Sequence, residues 1–402
     1  MVEKELLRRE LWNRIDYSRE ISDDEILEMI DELILQEVRK GKLSLEERKK
    51  LRTELFHAVR KLDILQDLVD DPAITEIMIN GKDRIFVEKK GKMERLDAEF
   101  DSEDKLQNVI QQIVASCNRV VNESTPIVDA RLDNGSRVNI VLKPIALNGP
   151  IVTIRRFPEK PISMEDLIAY RSINRELANF LQRLVRAKYN IFVSGGTGSG
   201  KTTFLNVLSN FIPADERIIT IEDSAELQLF QIENLVSLET RNANVENCRE
   251  ISIRDLIKTS LRMRPSRVIV GEVRGGEALD MLQAMNTGHD GSMSTGHANS
   301  AKDMLARLET MVLMGMDLPL SAIRQQIAAG IDVIVHLGRL RDKSRKILEV
   351  VEVTGYADGE ITLSPLYQFE ERKSTSDGNV QGEFAQKNKM QFLHKLQTAG
   401  LG

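Results

Sequence analysis

Apolar residues recur at helical spacing through the first 70 positions: Ile26, Ile30 and Leu33 form one set, and Leu51, Leu55, Val59 and Leu62 a second. Each set follows a Ser-x-x-Glu signature, Ser22 with Glu25 and Ser44 with Glu47, spaced so that the two side chains satisfy backbone donors left open at a helix start. The pattern predicts an N-terminal helical segment over 1–70, broken at Gly41, with its charged faces in solvent. At Asp71-Pro72 the period changes to two. Residues 76–79, 84–87 and 93–96, with turn signals at Asn80-Gly81 and Lys90-Gly91, read as a β-meander. A helix is expected over 106–117, and 127–157 reads as further strands broken at Asn134-Gly135 and Asn148-Gly149-Pro150. Residues 71–158 thus predict a mixed α+β domain.

Pro158 and Pro161 mark a linker, and between 159 and 372 short apolar runs alternate with helical patterns. Strands are expected at 191–193, 218–221, 235–238, 268–270, 292–294 and 331–336, with helices over 253–263, 276–284, 301–312 and 321–328 between them. Such alternation implies an α/β domain, a mainly parallel sheet with helices on both faces. An antiparallel hairpin over 347–367, turning at Asp358-Gly359, closes it. Beyond 372 the composition turns polar, so 373–402 is expected to be a partly flexible tail with one helix near 392–396.

Composition narrows the class. A chain of 402 residues, 41% hydrophobic and 29% charged, accommodates two or three globular domains. A net charge of −6 supplies no bulk attraction to nucleic acid or anionic lipid. Cys117 and Cys248 stand far apart without Cys-x-x-Cys spacing, and are expected to be small buried hydrophobes rather than a disulfide or zinc site. The start, Met1-Val2-Glu3-Lys4-Glu5, is charged and no run of 18 apolar residues occurs, so a cytoplasmic chain that meets a membrane only through partners is expected.

The chemistry gathers at four places. The first follows the apolar run Ile191-Phe192-Val193: Gly195, Gly196, Thr197, Gly198, Ser199, Gly200, Lys201, Thr202 and Thr203 fit G-x-x-x-x-G-K-[ST]. Phosphate oxygens wrapped by backbone N–H groups require residues without a Cβ at close range, and a helix N-terminus beneath them adds partial positive charge. Lys201 is placed to reach the β- and γ-phosphates of ATP, and the Thr202 hydroxyl to ligate Mg²⁺. The flanking strand and helix patterns supply the setting this mechanism needs.

The second is a buried strand that ends in acids, Ile221-Glu222-Asp223-Ser224-Ala225-Glu226. Ligands of open parallel sheets sit beyond the carboxyl ends of strands, so these acids are delivered toward the phosphates, where hydrolysis needs a carboxylate to orient or deprotonate water. The third, Val268-Ile269-Val270-Gly271-Glu272, ends in the acid of a Walker B strand, although Gly271 intervenes where most P-loop proteins place Asp directly; Glu272 is expected to reach Mg²⁺ through a water. Arg274 is placed to meet the γ-phosphate or a neighbouring acid. The fourth holds two of the chain's five histidines, His289 and His297, each in a Thr-Gly-His triplet flanking one short strand. Hydrogen bonding to phosphate or to the carboxylates suits them better than zinc, for which no further ligands lie nearby in sequence.

With these blocks in order, the chain from about 60 to 370 resembles the secretion ATPase superfamily that drives type II and type IV secretion and pilus assembly, and within it the CpaF-type ATPases of tight-adherence (Flp) pilus systems. The likeness rests on 71–81, on Asp129-Ala130-Arg131-Leu132 with Gly135-Ser136-Arg137-Val138-Asn139, on Thr153-Ile154-Arg155-Arg156-Phe157, on the P-loop, on 221–226, on Leu261-Arg262-Met263-Arg264-Pro265 and on the twin Thr-Gly-His. The resemblance implies a RecA-like P-loop motor domain preceded by an α+β (PAS-like) domain. It implies Glu226 as catalytic base, Glu272 as the Walker B acid, and His289 and His297 as a His box. Arg137 and Arg155 are implied to reach the nucleotide from the N-terminal domain, with Arg131 and Arg156 behind them. It further implies a homohexamer at the inner face of the cell membrane, working on inner-membrane platform proteins. Residues 242–248 depart from the family pattern.

The expectation is therefore a Mg²⁺-dependent ATPase, with ATP and Mg²⁺ as cofactors, that energises pilus-like fibre assembly or secretion. Two alternatives remain open at this stage. RecA-like rings also translocate nucleic acid, which the acidic balance disfavours, and a nucleotide-gated scaffold with negligible turnover is disfavoured by Glu226 and Glu272.

Overall fold

The computed structural model describes residues 4–15, 19, 21–39, 43–89, 92–117, 119–132, 134–156, 161–241, 249–374 and 380–402. The chain divides into two compact units, Met1–Lys160 and Pro161–Gly402. Gly41, the Lys90-Gly91 turn, Pro158, Cys248 and the divergent stretch 242–248 lie outside the described residues.

The first unit opens with helices α1 (Lys4–Arg14), α2 (Asp23–Arg39) and α3 (Leu45–Arg60). Ser44 and Glu47 form a full capping box, and Ser22 and Glu25 exchange the same pair of bonds. Leu11, Ile26, Ile30, Leu33, Leu51 and Leu55 close a small core between these helices. After α4 (Ile64–Asp70) come β1 (Ile74–Asn80), β2 (Ile85–Lys89), β3 (Lys92–Arg95), α5 (Glu103–Ser116), β4 (Ile127–Arg131), β5 (Arg137–Val141) and β6 (Ile151–Arg155). The strands form one antiparallel sheet in the order β3-β2-β1-β6-β5-β4. Its alternating Ile77, Ile79, Val138, Ile140, Val152 and Ile154 bury one face against Leu106, Val109, Ile110 and Ile113 of α5. Helices 1–70 and the α+β module, read as separate segments from the sequence, lie in this one unit. Cys117 is half-buried and its thiol donates to Arg131 O at 2.8 Å, a more polar setting than the sequence suggested.

The second unit contains α6 (Met164–Ala169), α7 (Arg175–Arg186), β7 (Ile191–Gly195), α8 (Lys201–Ser209), β8 (Ile218–Glu222), β9 (Leu235–Glu239), α9 (Ile253–Ser260), β10 (Arg267–Val270), α10 (Glu277–Asn286) and β11 (Met293–His297). It continues with α11 (Ala301–Gly315), α12 (Leu320–Gly330), β12 (Val333–Arg339), β13 (Arg345–Ala357), β14 (Glu360–Ser374), β15 (Val380–Gln386) and α13 (His394–Thr398). Strand order is β15-β14-β13-β12-β7-β11-β10-β8-β9. The six strands from β12 to β9 run parallel, and β13 to β15 add an antiparallel edge. Side chains of β7 go alternately to two cores, Ile191 and Val193 toward α7 and α8, Phe192 toward α9 to α12. Burial on both faces is why these strands read as unbroken apolar runs.

Of the partly flexible tail expected over 373–402, residues 380–402 are held to the second unit, which corrects the expectation there, while 375–379 lie outside the described residues. Strand β15 pairs with β14 from Tyr367↔Gln386 to Ser374↔Val380. Further on, Lys395 Nζ lies between Asp332 and Asp290 at 2.7 and 2.8 Å, buried Glu352 accepts the N–H groups of Gln391 and Phe392 at 2.8 Å each, and Leu396 enters the core. Composition reports side chains, whereas an edge strand is held by its backbone ladder and a few anchors.

Candidate functional site

Strand β7 lies between β11 and β12, and all three end at the same edge, with Gly195 level with His297 on one side and Leu337 on the other. A Cβ on Gly195 would come within 2.5 Å of Leu337 O, so the strand can leave the sheet here only as glycine. The loop then uses left-handed backbone at Gly198 (φ 70°) and Gly200 (φ 92°) before α8 begins at Lys201. Gly200 offers no capping side chain, which leaves the first-turn N–H groups of α8 directed at whatever the loop encloses. Thr202 and Thr203 occupy that first turn.

Lys201 is buried, and burial lowers its pKa against the opposing pull of Glu272. Its Nζ donates to Gly196 O at 3.2 Å and lies 3.1 Å from His297 Nδ1. An ammonium has no acceptor, so Nδ1 must accept and the ring proton is assigned to Nε2. Burial is also the largest cause of a lowered His297 pKa, which keeps the imidazole neutral near pH 7. The other ring nitrogen, Nε2, is 3.5 Å from the same Nζ and 2.8 Å from Glu272 Oε1.

Glu272 follows β10, and its Oε2 accepts from Arg274 Nη2 at 2.7 Å. Arg274 also faces Asp223 at 3.7 Å, so in this structure it meets the neighbouring acids. Glu272 Oε1 is shut off from solvent and has no aligned hydrogen-bond donor among the described residues. Mg²⁺ held chiefly by phosphate oxygens and water requires one such carboxylate and a hydroxyl, not a ligand cluster. The described residues offer no group of three or more His, Cys, Asp or Glu for a metal, while the solvent-shielded Glu272 oxygen and the Thr202 hydroxyl fit Mg²⁺ on those terms.

Glu226 stands four residues past the end of β8, on a segment fixed from two sides. Its N–H donates to Glu222 Oε1 at 3.0 Å, and the N–H of Gln228 donates to Asn206 Oδ1 of α8 at 2.9 Å. Strand β8 and helix α8 therefore hold this segment between them. Burial pushes the Glu222 carboxyl up to about 7, against the two backbone N–H bonds it accepts.

His289 is not part of this group, which corrects its expected place beside the nucleotide. It precedes Met293, whose register partner is Ile191 at the opposite end of β7, and its Nδ1 lies 3.2 Å from Ala284 O. Identical triplets at the two ends of a strand arrive at opposite edges of the sheet. In the first unit, Arg131, Arg137 and Arg155 stand in one row across β4, β5 and β6, with Glu76 of β1 next in line, 3.6 Å from Arg155. Arg156 is committed to carbonyls, donating to Asp71 O and to Ile74 O.

Sequence reasoning missed Arg345. From the start of β13 its Nε donates to Gly198 O at 2.8 Å, and its Cδ would lie 3.4 Å from a Cβ on Gly200. A residue 147 positions away carries no local signal; only the β12–β13 register, Arg339↔Arg345, brings it over the loop. His336 was likewise missed; its Nδ1 meets Ser194 Oγ at 3.1 Å inside the sheet.

A family model described as Type II/IV secretion system protein matches residues 59–386. The conjugal transfer protein TrbB of Rhizobium radiobacter is 34% identical over 322 residues, covering 78% of this chain and 95% of that one. The type IV secretion system protein VirB11 of Brucella suis biovar 1 is 32% identical over 303 residues, covering 69% and 84%. Among solved structures, the Legionella pneumophila ATPase DotB aligns with a TM-score of 0.51 at 20% identity, over 72% of this chain and 79% of that one. The pilus retraction motor PilT with bound ADP aligns at 0.52 and 20% identity, over 76% and 81%. At that identity the likeness to DotB and PilT is one of fold.

Proposed function

Because the chain belongs to the Type II/IV secretion system protein family, we propose that it is a Mg²⁺-dependent ATPase of the CpaF type, powering assembly of a Flp/Tad pilus-like fibre or protein secretion across the inner membrane. The observation that carries this reading is the contact of Lys201 with His297, whose Nε2 also meets Glu272, at the mouth of a left-handed glycine loop. That constellation suits a triphosphate: loop N–H groups from Gly195 to Thr203 wrap the phosphates and Lys201 moves from Gly196 O to their oxygens. When bound, Mg²⁺ neutralises phosphate charge, with Thr202 and Glu272 as its protein contacts. Glu226 takes a proton from the attacking water as the water oxygen bonds to the γ-phosphorus and the bond to the β-phosphate oxygen breaks, giving ADP and phosphate. His297 reports the change to Glu272 and Arg274, and Arg137 and Arg155 are further nucleotide contacts.

On this reading the second unit is a RecA-like motor, the first carries a PAS-like module behind residues 1–70, and 159–372 is the catalytic domain. The working form is a homohexamer, cytoplasmic and peripheral to the membrane, acting on platform proteins. Contacts to the γ-phosphate that exist before cleavage and not after it give the nucleotide its differential hold on conformation. The similarity to a conjugal transfer protein favours one second reading, an ATPase of a conjugation-type apparatus.

Turnover measured against oligomeric state by light scattering, with and without single-stranded DNA, tests the assignment. ATPase activity that rises with ring formation and ignores DNA supports it. Activity of a monomer that DNA stimulates many-fold replaces it with a nucleic-acid motor.

A further inference from the structure

Glu222 is the last residue of β8 and only 3% exposed. A carboxylate so buried needs a reason, because removing its charge from water is costly unless strong donors replace the lost solvation. Here the donors are backbone. Oε1 accepts the N–H of Glu226 at 3.0 Å and of Leu227 at 3.2 Å, and Oε2 accepts from Leu227 at 3.3 Å. The side chain thus ties two consecutive peptide groups beyond the strand to the strand's own end.

The neighbouring strand is shaped around it. A Cβ on Gly271 would come within 2.8 Å of Glu222 Cγ and 3.3 Å of its Oε1. The Gly271 backbone cannot retreat, since its N–H donates to Ile221 O and its carbonyl accepts from Thr295 Oγ1, both at 2.8 Å. Gly271 has no left-handed φ of its own to satisfy. Its glycine is a matter of room, and the Gly-Glu spelling after β10 follows from the acid on β8.

We propose that Glu222 is the positioning residue for Glu226: a buried carboxylate that fixes the backbone from which the base projects, in a space kept open by Gly271. This rests on the reading of Glu226 as base. The clamp acts on orientation and leaves the P-loop alone, because the phosphate-binding groups stand on β7 and α8. A base displaced by about 1 Å loses on the order of 10²-fold in rate.

The test is steady-state ATP hydrolysis by the full chain and by Glu222→Ala, Glu222→Gln, Gly271→Ala and Glu226→Gln, with equilibrium binding of a non-hydrolysable ATP analogue. Glu222→Ala is expected to lower kcat by about 10- to 100-fold with KM and analogue affinity within about twofold of the parent. Glu222→Gln keeps an acceptor oxygen and should recover most of the loss, while Gly271→Ala should reproduce it by displacing the carboxylate. Should Glu222→Ala fail to fold, the last two variants carry the test. Unchanged kcat in Glu222→Ala or Gly271→Ala, beside an inactive Glu226→Gln, overturns the clamp alone. Analogue affinity that falls in step with kcat and is not restored by glutamine also overturns it, marking a structural role. A fully active Glu226→Gln overturns the base and the clamp together.

Discussion

Lys201 and His297, 96 residues apart in sequence, meet at 3.1 Å between Nζ and Nδ1, and the same imidazole touches Glu272 through Nε2 at 2.8 Å. The ring takes one tautomer because Lys201 can only donate, and burial keeps it neutral. Replacing His297 with Ala removes the ring that contacts both Lys201 and Glu272. Turnover should fall on the order of 10²-fold, with ATP binding retained. Parallel measurement of kcat and nucleotide affinity checks this, and equal losses in both would place His297 in phosphate binding instead.

Arg345 acts one step further out. Its bond to Gly198 O fixes a peptide plane, and in a trans peptide the N–H of the next residue, Ser199, points the opposite way. Arg345→Ala should weaken ATP affinity on the order of 10-fold, about 1.4 kcal/mol, with a smaller effect on kcat. Titration with a fluorescent nucleotide reads it directly.

Buried Arg267 and Glu216 form a bidentate pair, with Nε–Oε2 at 2.8 Å and Nη2–Oε1 at 2.6 Å. Both stand at the edge of the sheet away from the glycine loop, Arg267 as the first residue of β10 and Glu216 two residues before β8. Glu216→Ala leaves a buried guanidinium with Val185 O as its one hydrogen-bond acceptor among the described residues and should cost about 3–5 kcal/mol in stability of the second unit. Thermal unfolding followed by calorimetry checks it, with ATP affinity at low temperature unchanged.

Much of this was legible locally. The strand, glycine loop and helix over 191–209 could be read because they are consecutive, and the Ser44–Glu47 cap because it spans one turn. What the sequence withheld depends on strand order and register. His289 and His297 look alike along the chain, yet the five-residue strand β11 carries them to opposite edges. Arg345 reaches Gly198 only through a hairpin folded back over β12. Gly271 read as a departure from the usual Walker B spelling because the side chain that needs its space sits on another strand, at Glu222.

Burial raises the Glu222 carboxyl from 4.5 to about 7. A folded value above the unfolded one means that the folded chain holds its proton longer. The stability this contributes is present in full below about 4.5 and is lost as pH rises through about 7. Glu222→Gln removes the titration, so its stability relative to the parent should grow between pH 5 and 8, by on the order of 3 kcal/mol. Unfolding midpoints of both proteins across that range test the sign; a gap that narrows toward pH 8 would contradict it.

The central claim is that the loop from Gly195 to Thr203 binds ATP and that Glu226 turns it over. Glu226→Gln and Lys201→Ala, assayed side by side for Mg·ATP binding and hydrolysis, test it most directly. Glu226→Gln should bind ATP like the parent and hydrolyse it at least about 10²-fold more slowly, whereas Lys201→Ala should lose both binding and turnover. Hydrolysis at the parental rate by Glu226→Gln, or undiminished ATP binding by Lys201→Ala, would contradict the account.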